Sequence, residues 1–115
     1  MMYKQREIVL VPFPYSDLSA SKRRPALVIS NNNYNNRFAG IIVCVITSNL
    51  FKDNFSISLS NDDLESGMLP ETSIIKCHKL FTIEQLKIIK RFSKINEQKF
   101  NEVVSMLQSL FQNLS

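Results

Sequence analysis

The sequence predicts a mainly β fold, a small antiparallel barrel of about five to seven strands with one amphipathic helix at its C-terminal end. Three observations carry this. Short apolar or alternating runs recur between turn-rich segments, as they do in small curled sheets. From Asn96 onward the pattern changes to helical spacing. The 115 residues, 44% hydrophobic and 21% charged, suffice for one core and not for two, so residues 1–115 read as a single domain.

The first strand is "EIVLVPF" (Glu7 to Phe13), apolar on both faces and closed by Pro12 and Pro14, which cannot donate to a ladder. "PALVIS" (Pro25 to Ser30) and "IIVCVIT" (Ile41 to Thr47) are two further buried runs. "FSISLS" (Phe55 to Ser60) alternates strictly, and "SIIKCHKLF" (Ser73 to Phe81) sets Lys76 and His78 on one face. Between the strands lie three polar loops: "PYSDLSASKRR", the asparagine-rich "NNNYNNRFAG", and "NDDLESGMLPE". Gly40 is expected at positive φ. Asp62, Asp63 and Glu65 read as a solvated acidic turn. Residues 84–95 fit either a short helix followed by a strand or a single edge strand. Asn96 is the expected N-cap of the last element, with Glu97 in its first turn. Phe100, Val103, Val104, Leu107, Leu110, Phe111 and Leu114 form its apolar stripe, expected to pack on the sheet. Strands of this length closed by one helix make an SH3-like barrel.

The charge of +4, from 14 Lys and Arg against 10 Asp and Glu, favours an anionic partner. The longest apolar run falls far short of the roughly 18 residues of a membrane span, and no secretory leader precedes the first strand. The expected location is therefore the reducing cytoplasm, with Cys44 and Cys77 as free core thiols. Two cysteines and one histidine cannot close a four-ligand zinc site, so no metal or other cofactor is expected. With two glycines in all there is no phosphate-cradling loop, and no G-x-S-x-G elbow occurs.

The polar candidates that remain sit at strand ends: Arg24, Thr47 with Ser48, and Lys76 with His78. Together they match the needs of RNA cleavage by the substrate's own 2′-hydroxyl. That reaction requires a proton acceptor, neutralisation of charge on the phosphate oxygens, and a proton for the leaving 5′ oxygen. An arginine fork serves the phosphate, and an imidazole titrates near working pH. On spacing alone each residue also has a plainer reading. Arg24 beside Lys22 and Arg23 fits a solvated loop cation, Thr47 an ordinary strand end, and His78 a structural histidine.

Three segments in order, "EIVLVPFPYSDLSASKRRPALVIS", "ITSN" and "SGMLPETSIIKCHKLFTI", span nearly the whole chain and resemble the PemK/MazF family of toxin–antitoxin ribonucleases. The resemblance implies an SH3-like barrel with a C-terminal helix. It also implies a homodimer that cuts single-stranded mRNA without a metal, leaving a 2′,3′-cyclic phosphate and a free 5′-hydroxyl. The implied partner is an antitoxin that lays an acidic, initially disordered segment over the RNA surface. Arg24 matches the family's catalytic arginine and Thr47 its second active-site residue. Pro14, Tyr15, Asp17, Lys22 and Arg23 in the first loop, with Ser48 and Asn49, would contact RNA. Two features depart from the pattern. Lys76 and His78 stand where some relatives carry a catalytic Arg and Asp, and Arg6 replaces the usual glycine at the head of the first strand. Two rival readings follow: a toxin of this fold that binds a protein target, as gyrase poisons do, or an inactive relative that binds only antitoxin or RNA.

Overall fold

A computed structural model describes residues 2–12 and 23–113. Phe13, Pro14, Tyr15, Asp17, Lys22 and Leu114 lie outside the described residues. The strands are β1 (Glu7–Pro12), β2 (Arg23–Val28), β3 (Gly40–Thr47), β4 (Ser56–Leu59), β5 (Leu64–Gly67), β6 (Ser73–Glu84) and β7 (Lys90–Ile95). Helix α1 (Asn32–Arg37) joins β2 to β3, and α2 (Glu97–Leu110) ends the chain. All strands pair antiparallel in the order β4-β6-β3-β2-β1-β7-β5, curled into a half-barrel. No helix among the described residues is long and apolar enough to cross a membrane.

The continuous apolar runs have a direct cause: the central strands are covered on both faces. On one side Ile8, Leu27, Cys44, Ile46 and Ile75 pack with Phe100 and Val103 of α2. On the other, Val9, Val11, Ala26, Val28, Ile41 and Val43 pack with Ile83 and Ile88. Successive residues of one strand therefore serve opposite cores. Asn96 caps α2 as expected, its side chain accepting from the Lys99 N–H. The stripe on α2 is buried through Val103 and partly through Leu107, whereas Phe111 emerges 77% exposed. Both cysteines are buried and free. Burial, then the neighbouring Cys77, pushes the Cys44 thiol well up, and burial raises Cys77 to about 11, so neither forms a thiolate at neutral pH.

Several expectations are corrected. The asparagine-rich segment is a helix, because Asn31 caps it by accepting from the Tyr34 N–H at 2.8 Å. Its Asn35 is buried and donates to the Tyr3 and Ser30 carbonyls. Gln85, equally buried, donates to the Asn35 and Phe38 carbonyls and accepts from the Tyr3 N–H. Asparagines that read as loop thus build a polar core. The acidic segment is likewise ordered, as a 3₁₀ turn at Asn61–Asp63 followed by β5. Glu65 pairs with Arg6 and Lys94, and Asp63 with Lys99. For residues 84–95 the first of the two open readings, a short helix followed by a strand, is the one found: the end of β6, a 3₁₀ turn (Gln85–Lys87) and β7.

Positive φ falls at Gly67 and not at Gly40. The only other described residue in that region is Arg6, at φ 79°. The left-handed turn that glycine would fill at the head of β1 is kept by an arginine, at a cost of roughly 1–2 kcal/mol. Contacts offset it. The Arg6 guanidinium reaches Glu65 and the Ile95 carbonyl, each at 2.9 Å, and its backbone N–H donates to Val28. We expect Arg6→Ala, which keeps the strain and the backbone bond to Val28 but loses both guanidinium contacts, to be about 1–2 kcal/mol less stable than wild type. Arg6→Gly should be more stable than the alanine variant. Urea denaturation decides, and an alanine variant matching the glycine variant would remove the strain argument.

Candidate functional site

Arg24 and Thr47 come together through the sheet. Ala26 lies opposite Val45 in the β2–β3 ladder, and carrying that antiparallel register two residues on sets Arg24 across from Thr47. Both side chains are partly buried and line two clefts. The larger, about 660 Å³, has Leu10, Ile46, Leu69 and Phe92 as apolar lining, with Arg23, Ser48, Glu71 and Lys90 also on its walls. The smaller, about 300 Å³, is lined by Val45, Asn49, Phe51, Lys76 and Lys79 besides the shared pair. Arg24 and Thr47 therefore stand on the ridge between the clefts. Among the described residues, three cations and no carboxylate line the smaller one, a setting for a polyanion backbone.

Lys76 and Lys79 reach the same cleft because β6 breaks its alternation. Cys44 pairs with Leu80 while Val45 pairs with Lys76, so Cys77, His78 and Lys79 fall in a bulge with no counterpart on β3. Bulges of this kind re-aim side chains. Lys76, three positions before Lys79, would face the opposite way from it on a regular strand.

The segment after Thr47 is built by short side-chain turns. The Thr47 hydroxyl accepts from the Asn49 N–H at 3.1 Å, and the Asn49 side chain accepts from the Phe51 N–H at 3.2 Å. Lys76 ties this segment to the sheet, its Nζ donating to the Phe51 carbonyl at 3.1 Å and to Asp53 Oδ2 at 3.3 Å. Asp53 also accepts from the Ser56 hydroxyl and the Phe55 N–H. Those two bonds, followed by Lys76, lower its pKa to about 2. A depressed folded value means that the tie is complete above the ordinary value of 3.8 and is lost as pH falls from about 4 through about 2. An NMR titration of the Asp53 carboxyl carbon should show a midpoint near 2. A midpoint at 3.8 would mean the carboxylate is not held.

His78 is placed differently. Its Nε2 lies 3.6 Å from Asp53 Oδ2, its ring centroid is 5.6 Å from that of Phe55, and its Nδ1 is enclosed without a hydrogen-bond partner. It lines neither cleft. Among the expected residues, then, Arg24, Thr47 and Lys76 converge, with Arg23, Ser48 and Asn49 on the adjoining walls, while His78 turns towards Asp53. Sequence reasoning missed Lys79, Phe51 and Asp53. The first depends on the bulge, and the other two on a segment with no strand or helix periodicity to read.

The chain was compared with known proteins. A crystal structure of MazE–MazF from Deinococcus radiodurans matches with a TM-score of 0.78 at 20% identity, covering 96% of each chain. An endoribonuclease in complex with its cognate antitoxin from a mycobacterial species matches with a TM-score of 0.77 at 14% identity, over 98% of this chain and 99% of that one. The Mycobacterium tuberculosis toxin MazF-mt6 matches at 0.74 and 15%, over 92% and 96%. Identities this low establish a shared fold only. No curated protein sequence matches. The model of one family, the PemK-like, MazF-like toxins of type II toxin–antitoxin systems, aligns with residues 4–111. That alignment takes in both clefts, the ridge and the bulge, and the chain belongs to this toxin family.

Proposed function

We propose that this toxin is a metal-independent, sequence-specific endoribonuclease acting on single-stranded mRNA in the cytoplasm. The observation that carries the reading is the pairing of Arg24 with Thr47 on a ridge between two clefts, the smaller of which is lined by cations. A phosphodiester on the ridge would receive the Arg24 fork on its non-bridging oxygens, with the Thr47 hydroxyl fixing its orientation. Lys79 and Lys76 would add positive charge to the same field.

In the proposed step the 2′ oxygen attacks phosphorus, the bond from phosphorus to the 5′ oxygen breaks, and a 2′,3′-cyclic phosphate forms. The 2′ proton passes to a base, and the 5′ oxygen takes a proton to leave as a hydroxyl. His78 is the proposed proton carrier, which requires its ring to swing from Asp53 towards the ridge. Its present position, with neither nitrogen facing a cleft, is what favours the second reading, an inactive relative that binds RNA or antitoxin. The same basic surface would receive the acidic segment of an antitoxin, as befits a family whose crystallised members include toxin–antitoxin complexes. We further propose a homodimer.

The test is incubation of the purified toxin with a long transcript in excess EDTA, followed by analysis of the product ends. Fragments with cyclic-phosphate and 5′-hydroxyl ends are expected. Intact RNA under these conditions would reject the nuclease.

A further inference from the structure

We propose that Phe51 is a stacking platform for the nucleobase next to the scissile phosphate. The inference rests on the endoribonuclease reading and names a binding residue within that site. Phe51 lines the smaller cleft beside Arg24 and Thr47, yet it is 77% exposed. A phenylalanine so exposed contributes little to the core, and its backbone is nevertheless held on both sides. Its N–H donates to the Asn49 side chain and its carbonyl accepts from Lys76. The ring is thus presented from a fixed support, next to the residues proposed to hold the phosphate.

A ring offered to solvent at the edge of a cationic cleft matches the two needs of single-strand recognition. Cations follow the backbone, and an aromatic face stacks a base whatever its identity. Leu50, its neighbour, is 58% exposed and lines neither cleft, so exposure in this segment does not by itself place a side chain at the site. Lys76 acquires a second role, positioning the ring through the Phe51 carbonyl. The chain has no tryptophan, which makes Phe51→Trp a single-site fluorescent reporter on a flat ring.

The experiment uses the full chain and a 2′-O-methyl oligonucleotide of about 12 nucleotides, spanning a cleavage position first mapped on a long transcript in EDTA. The methyl group removes the attacking hydroxyl, so binding is measured without cleavage. Phe51→Ala should weaken binding by about 5- to 100-fold without changing the dependence of log Kd on log salt, because no charge is lost. Leu50→Ala should bind as the wild type does. In Phe51→Trp, indole emission should be quenched as the oligonucleotide saturates. Wild-type affinity in Phe51→Ala, the result expected if the ring meets a protein segment instead of a base, overturns the platform. Unchanged indole emission at saturation overturns it equally. If the wild type cleaves while Phe51→Ala binds normally, only the platform falls. If the wild type leaves the transcript intact, the nuclease reading falls and the platform falls with it.

Discussion

Arg24→Ala should slow RNA cleavage by about two to three orders of magnitude, the usual consequence of removing one preorganised donor from a developing oxyanion. The side chain is partly exposed at the start of β2, so truncation leaves the cores on both sides of the sheet untouched. Far-UV circular dichroism and the urea midpoint should stay near wild type. Arg24→Lys should fall between the two, because a lysine keeps the charge and loses the planar fork that donates two parallel bonds. Single-turnover rates on a fixed transcript, with EDTA present, separate these cases. Cleavage undiminished in the alanine variant would keep the activity and take Arg24 out of it. Equal loss in the lysine and alanine variants would show that geometry, and not charge, is what the phosphate needs.

Gly67→Ala should cost about 3 kcal/mol of stability, the largest effect expected from adding a single methyl group to this chain. Gly67 sits at φ 81° where β5 meets β7. A Cβ built there lies 2.3 Å from the Phe92 carbonyl oxygen and 2.7 Å from Ser93. Those are backbone atoms of the paired strand, which no rotamer change can move aside. The variant must pay for both the left-handed conformation and the displacement of β5, an edge strand that would part from β7. Gly40 provides the contrast. It has ordinary φ, and its added Cβ would meet the exposed Thr82 side chain at 3.0 Å, a contact that a flexible neighbour can relieve. Gly40→Ala should therefore cost well under half as much. Urea or thermal denaturation of the two variants side by side tests this, and equal losses would show that the β5–β7 contact is softer than its geometry implies.

The β elements were legible where the sequence had one dominant pattern. Ile41 to Thr47 and Glu7 to Phe13 read as strands because the body of each run is apolar without interruption, as a strand covered on both faces is, and α2 announced itself through Asn96 and its three- and four-residue spacing. Strands β5 and β7 were obscure for a physical reason. Each is short, polar and half exposed, and each is set by pairing with a distant strand, with no periodicity of its own. Helix α1 was hidden because asparagine is a poor helix interior residue, and only the Asn31 cap together with the burial of Asn35 and Gln85 overrides that. At the site, Arg24 and Thr47 became eligible through their place at strand ends and were singled out by the ordered family motif. Lys79 was out of reach, since strict alternation points it away from Lys76.

The bulge in β6 has an evolutionary consequence. Three residues separate the two stretches of β6 that pair with β3, an odd number, so inward and outward exchange across it. Ile75 and Cys77 face the core beneath α2, and beyond the interruption that duty passes to Leu80. Losing or gaining one residue at 77–79 would turn the far half of the strand over and send Ile83 to the wrong side of the sheet. Changes of two residues would spare that half. Length variation among descendants of this toxin should therefore come in pairs at this point, which lets the site's cations be rebuilt by substitution but not by a single-codon insertion or deletion.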